Sequence, residues 1–328
     1  MWANALQEAA SFIRERDDFL VVSHVQPDGD AISSTVAIGW LLEQLGKTYT
    51  MLNEGPVPSR LHYLWKSGDI VMIPRDAVPS RQYRNVICVD CADYARIGRG
   101  QAWVAEDAEV LNIDHHPTND GYGLVSLLKF DAAATAEIII ALIDVMALPL
   151  DADVATAIYT GMLTDTGGFR YSNTSPDVMA IASRLLQAGV DGPQLAELLL
   201  ERMSLGQMQM IRRGLSRLSF SEDNRIAWLW VTSEDLAETG ASNEDLEGLV
   251  NYPRNIEGVE VGILFKVNGT ESVKVSLRSA GVVNVAAVAQ HFGGGGHVRA
   301  AGCRLTEPLE EVISQVVSVV RKALGEHE

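Results

Sequence analysis

Eight side chains of types that hold divalent cations or move protons fall in short clusters along this sequence: His24, Asp28 and Asp30; Asp90; Asp114, His115 and His116; and Asp165. Brought together, so many carboxylates repel one another strongly unless cations sit among them. Imidazole and carboxylate donors without a thiolate suit Mn²⁺, Fe²⁺, Co²⁺ or Zn²⁺, and the imidazoles make Mg²⁺ less favoured. Six or more such ligands suffice for two divalent ions. A pair of ions about 3.5 to 4 Å apart lowers the pKa of a held water and clamps the attacking and leaving oxygens of a phosphoryl displacement. Phosphoester hydrolysis is therefore the chemistry the set predicts. Singly, Asp28 and Asp30 around Gly29 read as turn-forming and helix-capping carboxylates; it is the recurrence of such endings that argues for a site.

Apolar runs must deliver these groups. Phe19-Leu20-Val21-Val22 ends in Ser23-His24, followed by a turn bearing Pro27 and Gly29 and a helical pattern over 31–45. Asn85-Val86-Ile87-Cys88-Val89 ends in Asp90, with Asp93 and Arg96 just beyond, and Val110, Leu111 and Ile113 lead into Asp114-His115-His116. Short continuous apolar runs read as buried strands, and open α/β sheets place ligand sites at the carboxyl ends of their strands. Asp165 follows the second of two long apolar helical patterns, 135–148 and 152–163, and Ser175-Pro176 opens another over 177–188. Alternating strands and helices predict an α/β fold with a mostly parallel sheet and helices on both faces. Past a helical connection at 189–209 the pattern changes to strands at 225–232, 259–267 and 271–279, the last two flanking a hairpin signal at Asn268-Gly269-Thr270. A helix over 284–291, a run of glycines and a helix over 309–324 close a smaller α/β domain.

At 328 residues, 47% hydrophobic and 21% charged, the chain is long enough for about two globular domains. No stretch reaches the roughly 18 apolar residues of a membrane helix, and the amphipathic first 16 residues do not read as a signal peptide. Three cysteines, Cys88, Cys91 and Cys303, are too few for a disulfide framework, and Cys88-x-x-Cys91 lacks a second pair, so the expected location is the cytoplasm. The net charge of −17 argues against a basic groove for long nucleic acid. A compact anionic substrate remains compatible with it where metal ions and a few local Arg or His residues offset the charge.

The ordered set His24-x3-Asp28-x-Asp30, Asp90, Asp114-His115-His116 and Asp165-Thr166-Gly167 resembles the successive motifs of the DHH phosphoesterase superfamily. Gly293-Gly294-Gly295-Gly296-His297-x2-Ala300-Ala301-Gly302 is similar to that family's associated C-terminal domain, so the likeness spans both halves of the chain. The contexts around Asp90 and Asp165 look most like the short nanoRNase and 3′-phosphoadenosine 5′-phosphate phosphatase branch. The resemblance implies a DHH domain over 1–188, a helical linker over 189–209 and a substrate-binding domain over 210–328, with the active site in the cleft between the domains. It implies one metal on His24, Asp28 and Asp90 and another on Asp30, Asp90, His115 and Asp165, so that Asp90 bridges. His116 then faces the scissile phosphate, Asp114 orients an imidazole, and Arg96 is a candidate phosphate contact. Mn²⁺ is the implied ion, with Co²⁺, Fe²⁺, Zn²⁺ or Mg²⁺ as substitutes, and a homodimer is compatible with the resemblance. Ser33 departs from the pattern, standing where the family often has Gly.

Four successive glycines are more often a flexible linker, but these are bracketed by a helix and by His297. Gly294, Gly295 and Gly296 with His297, Ser276, Arg278 and Ser279 are the candidates for gripping the substrate end remote from the metals; for Ser276 and Arg278 a solvated strand face is an equal reading. The implied activity is release of 5′-mononucleotides from RNA of a few nucleotides and removal of the 3′-phosphate of phosphoadenosine phosphate. Three alternatives stay open: a linear- or cyclic-dinucleotide phosphodiesterase, whose usual membrane and sensory segments are not seen here; a family II pyrophosphatase, whose C-terminal domain lacks the Gly-rich His motif; and a non-catalytic nucleotide-binding protein. An exonuclease of the RecJ type, acting on long single strands, is disfavoured by the charge.

Overall fold

The computed structural model describes residues 2–269 and 272–325, which fall into two compact units, Met1–Arg202 and Met203–Glu328. Thr270 and Glu271, in the expected hairpin, and His327, read from the sequence as structural or surface, lie outside the described residues.

The first unit comprises α1 (Trp2–Glu15), β1 (Phe19–Val22), α2 (Gly29–Gln44), β2 (Tyr49–Asn53), β3 (Val71–Met72), β4 (Tyr83–Val89), β5 (Val104–Asp114), β6 (Val125–Leu128), α3 (Thr135–Val145), α4 (Ala152–Asp165), α5 (Pro176–Gln187) and α6 (Gly192–Ala196). Its six strands form a wholly parallel sheet in the order β3-β2-β1-β4-β5-β6. Alternate residues serve opposite faces. Phe19, Val21, Ile87, Val89, Leu111 and Ile113 pack under α1 to α4, and Leu20, Val22, Val86 and Cys88 pack under the 3-10 segment Tyr94–Trp103 and its neighbours. Helix α2 is apolar all round because it is buried almost along its whole length against α3 and α4. Strand β3 is only two residues long and β6 has a serine among its four, so neither leaves a continuous apolar run in the sequence, and the expected helical connection at 189–209 includes α6 and a π-helical turn, Glu197–Glu201.

The register organises the site. Val22 pairs with Cys88 and Cys88 with Asn112, so these residues stand level across the three central strands. His24, Asp90 and Asp114, each two residues further on, leave the sheet at one height.

The second unit comprises α7 (Leu205–Ser216), β7 (Ser219–Phe220), β8 (Ile226–Thr232), α8 (Ser233–Thr239), α9 (Asn251–Arg254), β9 (Val261–Asn268), β10 (Ser272–Ser279), α10 (Val285–His291), β11 (Gly295–His297), β12 (Ala300–Leu305) and α11 (Leu309–Gly325). Its sheet runs β11-β12-β10-β9-β8-β7, antiparallel except for the β8–β9 pair. Helices α10 and α11 cover the face that carries Val273, Val275 and Leu277. On the opposite face, Leu229, Val231 and Leu264 are covered by Met210, Leu246, Leu249 and Val250. The glycine run is more ordered than an irregular cradle: Gly295, Gly296 and His297 form an edge strand on Gly302, Ala301 and Ala300. Small side chains on both strands let the backbones come this close.

Candidate active site

The side chains singled out in the first unit converge at the carboxyl end of its sheet. His24 Nε2 lies 3.5 Å from Asp90 Oδ2 and 4.0 Å from Asp28 Oδ1. On the other side His115 Nε2 lies 3.4 Å from Asp165 Oδ2 and 3.7 Å from Asp90 Oδ1, and His116 Nδ1 is also 3.7 Å from Asp90 Oδ1. Three groups of potential ligand atoms result, His24/Asp28/Asp90, Asp30/His115/Asp165 and Asp90/Asp114/His116, each within 4.8 Å. Asp90 stands at the centre, one oxygen toward His24 and the other toward the His115-His116 pair. Its backbone takes φ 54°, a left-handed conformation that Asp tolerates better than most residues and that is uncommon away from functional sites.

Local structure holds each group. Asp28 caps α2, accepting the Ala31 N–H at 3.1 Å. Asp30, in the first turn of α2, accepts the N–H groups of Thr135 at 2.6 Å and Ala136 at 3.0 Å, and the Ser34 hydroxyl at 3.3 Å. Helix α3 begins at Ala134 without a side-chain cap of its own, so a carboxylate from another helix satisfies its leading N–H groups. His115 Nδ1 faces the Ala132 carbonyl at 3.2 Å. A carbonyl only accepts, so Nδ1 carries a proton and Nε2 is the atom turned toward Asp90 and Asp165. Asp114 is wholly buried, accepts His116 Nδ1 at 2.8 Å, and is itself held by Asn119 Nδ2 at 2.7 Å. Asn119 also donates to the Cys91 carbonyl at 3.1 Å and accepts from Asn112 at 2.9 Å. Arg96 lies in the 3-10 segment after β4: its N–H bonds Asp93, its carbonyl takes the Val25 N–H, and its charge is felt at Cys91.

Burial pushes the Asp30 carboxyl well above the ordinary carboxylate range, reinforced by the charges of Asp90 and Asp28 and opposed by the α3 N–H groups. Burial also raises Asp165, with Asp30, Asp28 and Asp90 adding to it. For Asp90 burial acts in the same direction but is outweighed by the hydrogen bond to His24 and the charges of His116, His24 and His115, so its carboxyl is held well below the usual range. His115 Nε2 facing carboxylates at 3.4 to 3.7 Å, beside acids that resist ionisation, belongs to a donor set that a divalent cation satisfies. The residues fit such ions, and the buried His24 Nδ1 has no hydrogen-bond partner, while Nε2 of that ring faces Asp28 and Asp90.

Four contributors were not apparent in the sequence: Asn119, Thr135, Ala136 and a basic row in the second unit. In that unit Arg278, Ala300 and His297 stand in one cross-strand row, Ser276, Gly302 and Gly295 in the next, and Lys266, Lys274 and Arg304 in a third. Ser279 alternates to the other side, buried, accepting the Gly281 N–H at 3.0 Å. A Cβ on Gly294 or Gly296 would strike the backbone of β12, whereas Gly295 has open space above it. Burial and the neighbouring like charges lower both Lys266 and Lys274.

The site and the sheet that carries it define a metal-dependent phosphoesterase. Residues 18–162 match the DHH family, N-terminal domain, and residues 224–326 the DHHA1 domain. The chain belongs to the DHH phosphoesterase family, whose members hydrolyse phosphoester bonds with divalent metals. It is 33% identical over 310 residues to the bifunctional oligoribonuclease and PAP phosphatase NrnA of Thermus thermophilus, covering 93% of this chain and 89% of that one. The Bacillus subtilis protein of the same name is 26% identical over 294 residues, 88% of this chain and 90% of the relative. Among solved structures, an exopolyphosphatase-related protein from Bacteroides fragilis superposes with a TM-score of 0.86 at 26% identity, over 99% of this chain and 96% of the other. Among the described residues no helix is long and apolar enough to cross a membrane.

Proposed function

We propose that this protein degrades oligoribonucleotides of a few nucleotides to 5′-mononucleotides and removes the 3′-phosphate of 3′-phosphoadenosine 5′-phosphate, using two divalent ions, with Mn²⁺ as the working metal. The observation that carries the reading is Asp90: buried, held ionised, and presenting Oδ2 to His24 at 3.5 Å and Oδ1 to His115 and His116 at 3.7 Å. That is the placement required of a carboxylate shared by two ions. His24, Asp28 and Asp90 hold one ion; Asp30, Asp90, His115 and Asp165 hold the other. Bound there, the ions supply nucleophile activation and charge neutralisation at phosphorus.

His116 contacts the scissile phosphate and passes a proton to the departing 3′ oxygen. Asp114, fixed by Asn119, keeps Nδ1 of that ring as a donor and leaves Nε2 for the substrate. Arg96 adds a phosphate contact. In the second unit Ser276, Arg278, Gly295 and His297 grip the remote nucleotide, with Gly294 and Gly296 shaping the strand that presents Gly295 and His297. The opposed Lys266, Lys274 and Arg304 support this, because like charges set directly across strands cost stability and are relieved by an anion. They also reconcile a phosphate-rich substrate with a net charge of −17. Buried, unpaired Cys88, Cys91 and Cys303 agree with a reducing compartment such as the cytoplasm. The test is release of mononucleotide from an RNA dinucleotide, and of AMP from phosphoadenosine phosphate, by purified protein with Mn²⁺. Loss of both activities in Asp90→Ala is expected; full activity in that variant would overturn the reading.

A further inference from the structure

Residues 132–137, Ala-Ala-Ala-Thr-Ala-Glu, supply none of the candidate ligands, yet they bond directly to three of them, Asp30, Asp90 and His115. The Ala132 carbonyl faces His115 Nδ1 at 3.2 Å. The Ala133 carbonyl accepts Asn173 Nδ2 at 3.2 Å, and the same amide donates to the Asp165 carbonyl at 3.2 Å. Thr135 and Ala136 give their N–H groups to the two oxygens of Asp30. The wholly buried Thr135 hydroxyl donates to Asp90 Oδ1 at 3.0 Å. Glu137 anchors the segment, accepting the Ala133 N–H at 2.7 Å and Lys129 Nζ at 2.6 Å.

We propose that Thr135 is a positioning residue that assigns the two oxygens of Asp90 to the two halves of the metal centre; this rests on the two-ion reading above. As the first residue of α3, Thr135 has no preceding helical carbonyl for its hydroxyl, which is therefore committed to Asp90. A hydroxyl has one proton to give, and a carboxylate oxygen accepts about two hydrogen bonds or metals. With Thr135 on Oδ1, that oxygen keeps one lone pair on the His115 side, while Oδ2 keeps both on the His24 side. The carboxylate can then neither rotate nor place both ions on one oxygen. The same residue holds Asp30 through its backbone, so one threonine couples a carboxylate meant for one ion to the carboxylate shared by both.

The experiment is Mn²⁺ binding to the full-length protein, followed by calorimetric titration and by the paramagnetic signature of paired ions. Thr135→Val keeps the shape and the N–H but removes the donor; Thr135→Ser keeps the donor. Wild type and Thr135→Ser are expected to take two equivalents. In Thr135→Val the weaker of the two sites should fall about 10- to 100-fold, the paired signature should fade, and turnover should be rescued by excess Mn²⁺, with metal-free melting close to wild type. Should Thr135→Val fail to fold, Thr135→Ala removes the same donor without added bulk. Two equivalents at wild-type affinity in the Val or Ala variant would overturn the proposal and leave the two-ion reading standing, as would equal losses in the Ser and Val variants, which would make shape the cause. A wild-type protein that binds no Mn²⁺ would instead overturn the two-ion reading itself.

Discussion

Substituting Gly161 by alanine changes no group that could react, yet its sign discriminates between a tightly packed site and a loose one. Helix α4 approaches α2 and α3 so closely there that a Cβ would stand 2.6 Å from Asp30 Oδ1, 2.7 Å from the Ala136 Cβ and 3.3 Å from the Ser33 Cβ. In an unobstructed helix, alanine would add about 1 kcal/mol through propensity alone. Here the methyl must displace Asp30 or part the helices. Overpacking of this kind costs roughly 1–3 kcal/mol, and losing one of the charge-assisted bonds that Asp30 accepts from α3 costs about 1.5–3 kcal/mol more. The propensity gain offsets only part, leaving a net loss of roughly 1.5–5 kcal/mol. For the first unit, Met1–Arg202, that lowers the melting temperature by about 3–20 °C. Calorimetry with and without Mn²⁺ reads both parts of the effect, since a displaced Asp30 should also shrink the metal-induced rise in Tm. A Gly161→Ala protein that melts at or above wild type with an undiminished Mn²⁺ shift would refute the reasoning.

Other outcomes follow from the same geometry. His116→Ala should keep both ions and lose turnover by about 10²- to 10⁴-fold, whereas His115→Ala should lose one equivalent of Mn²⁺; metal analysis beside kcat separates them. Asn119→Ala releases Asp114, so kcat should drop about 10- to 100-fold with metal content unchanged. In the second unit, burial acts to raise Asp235, but hydrogen bonds from Arg217 and Arg213 and the Thr232 N–H hold its carboxyl well below the ordinary range. A depressed carboxyl stabilises the fold above the unfolded-state value of about 4 and ceases to as pH falls through the folded-state value. Wild type should therefore exceed Asp235→Asn in unfolding free energy by roughly 3 kcal/mol at pH 7, with the two curves converging as the pH is brought down toward 2; parallel curves would count against the pairing.

The architecture was legible in the sequence because β1, β4 and β5 are continuous apolar runs cut off by His or Asp, and a parallel register brings those ends level without further information. Asp165 was legible for a related reason, as the polar end of an apolar helix. What escaped notice works through the backbone or through pairing across strands. Thr135 follows three alanines and looks like any helix residue, and the missing cap on α3 gives no hint that Asp30, 105 positions earlier in the chain, provides one. Asn119 sits in a polar turn where asparagine is expected for turn reasons alone, and only the fold shows its amide against Asp114. Lys266, Lys274 and Arg304 are unremarkable along the chain and become a row only once β9, β10 and β12 are in register. Along the glycine run, Gly294 and Gly296 serve the packing of β11 on β12, whereas Gly293 and Gly295 have open space where a Cβ would stand.

The central claim is the pairing of this site with short RNA and phosphoadenosine phosphate. The most direct test supplies purified protein and Mn²⁺ with a labelled RNA dinucleotide, phosphoadenosine phosphate, a cyclic dinucleotide and pyrophosphate in parallel. The expected result is mononucleotide from the first and AMP with phosphate from the second, both abolished in Asp90→Ala. A dinucleotide and a phosphoadenosine phosphate that both emerge intact, or pyrophosphate consumed in preference to either, would contradict it.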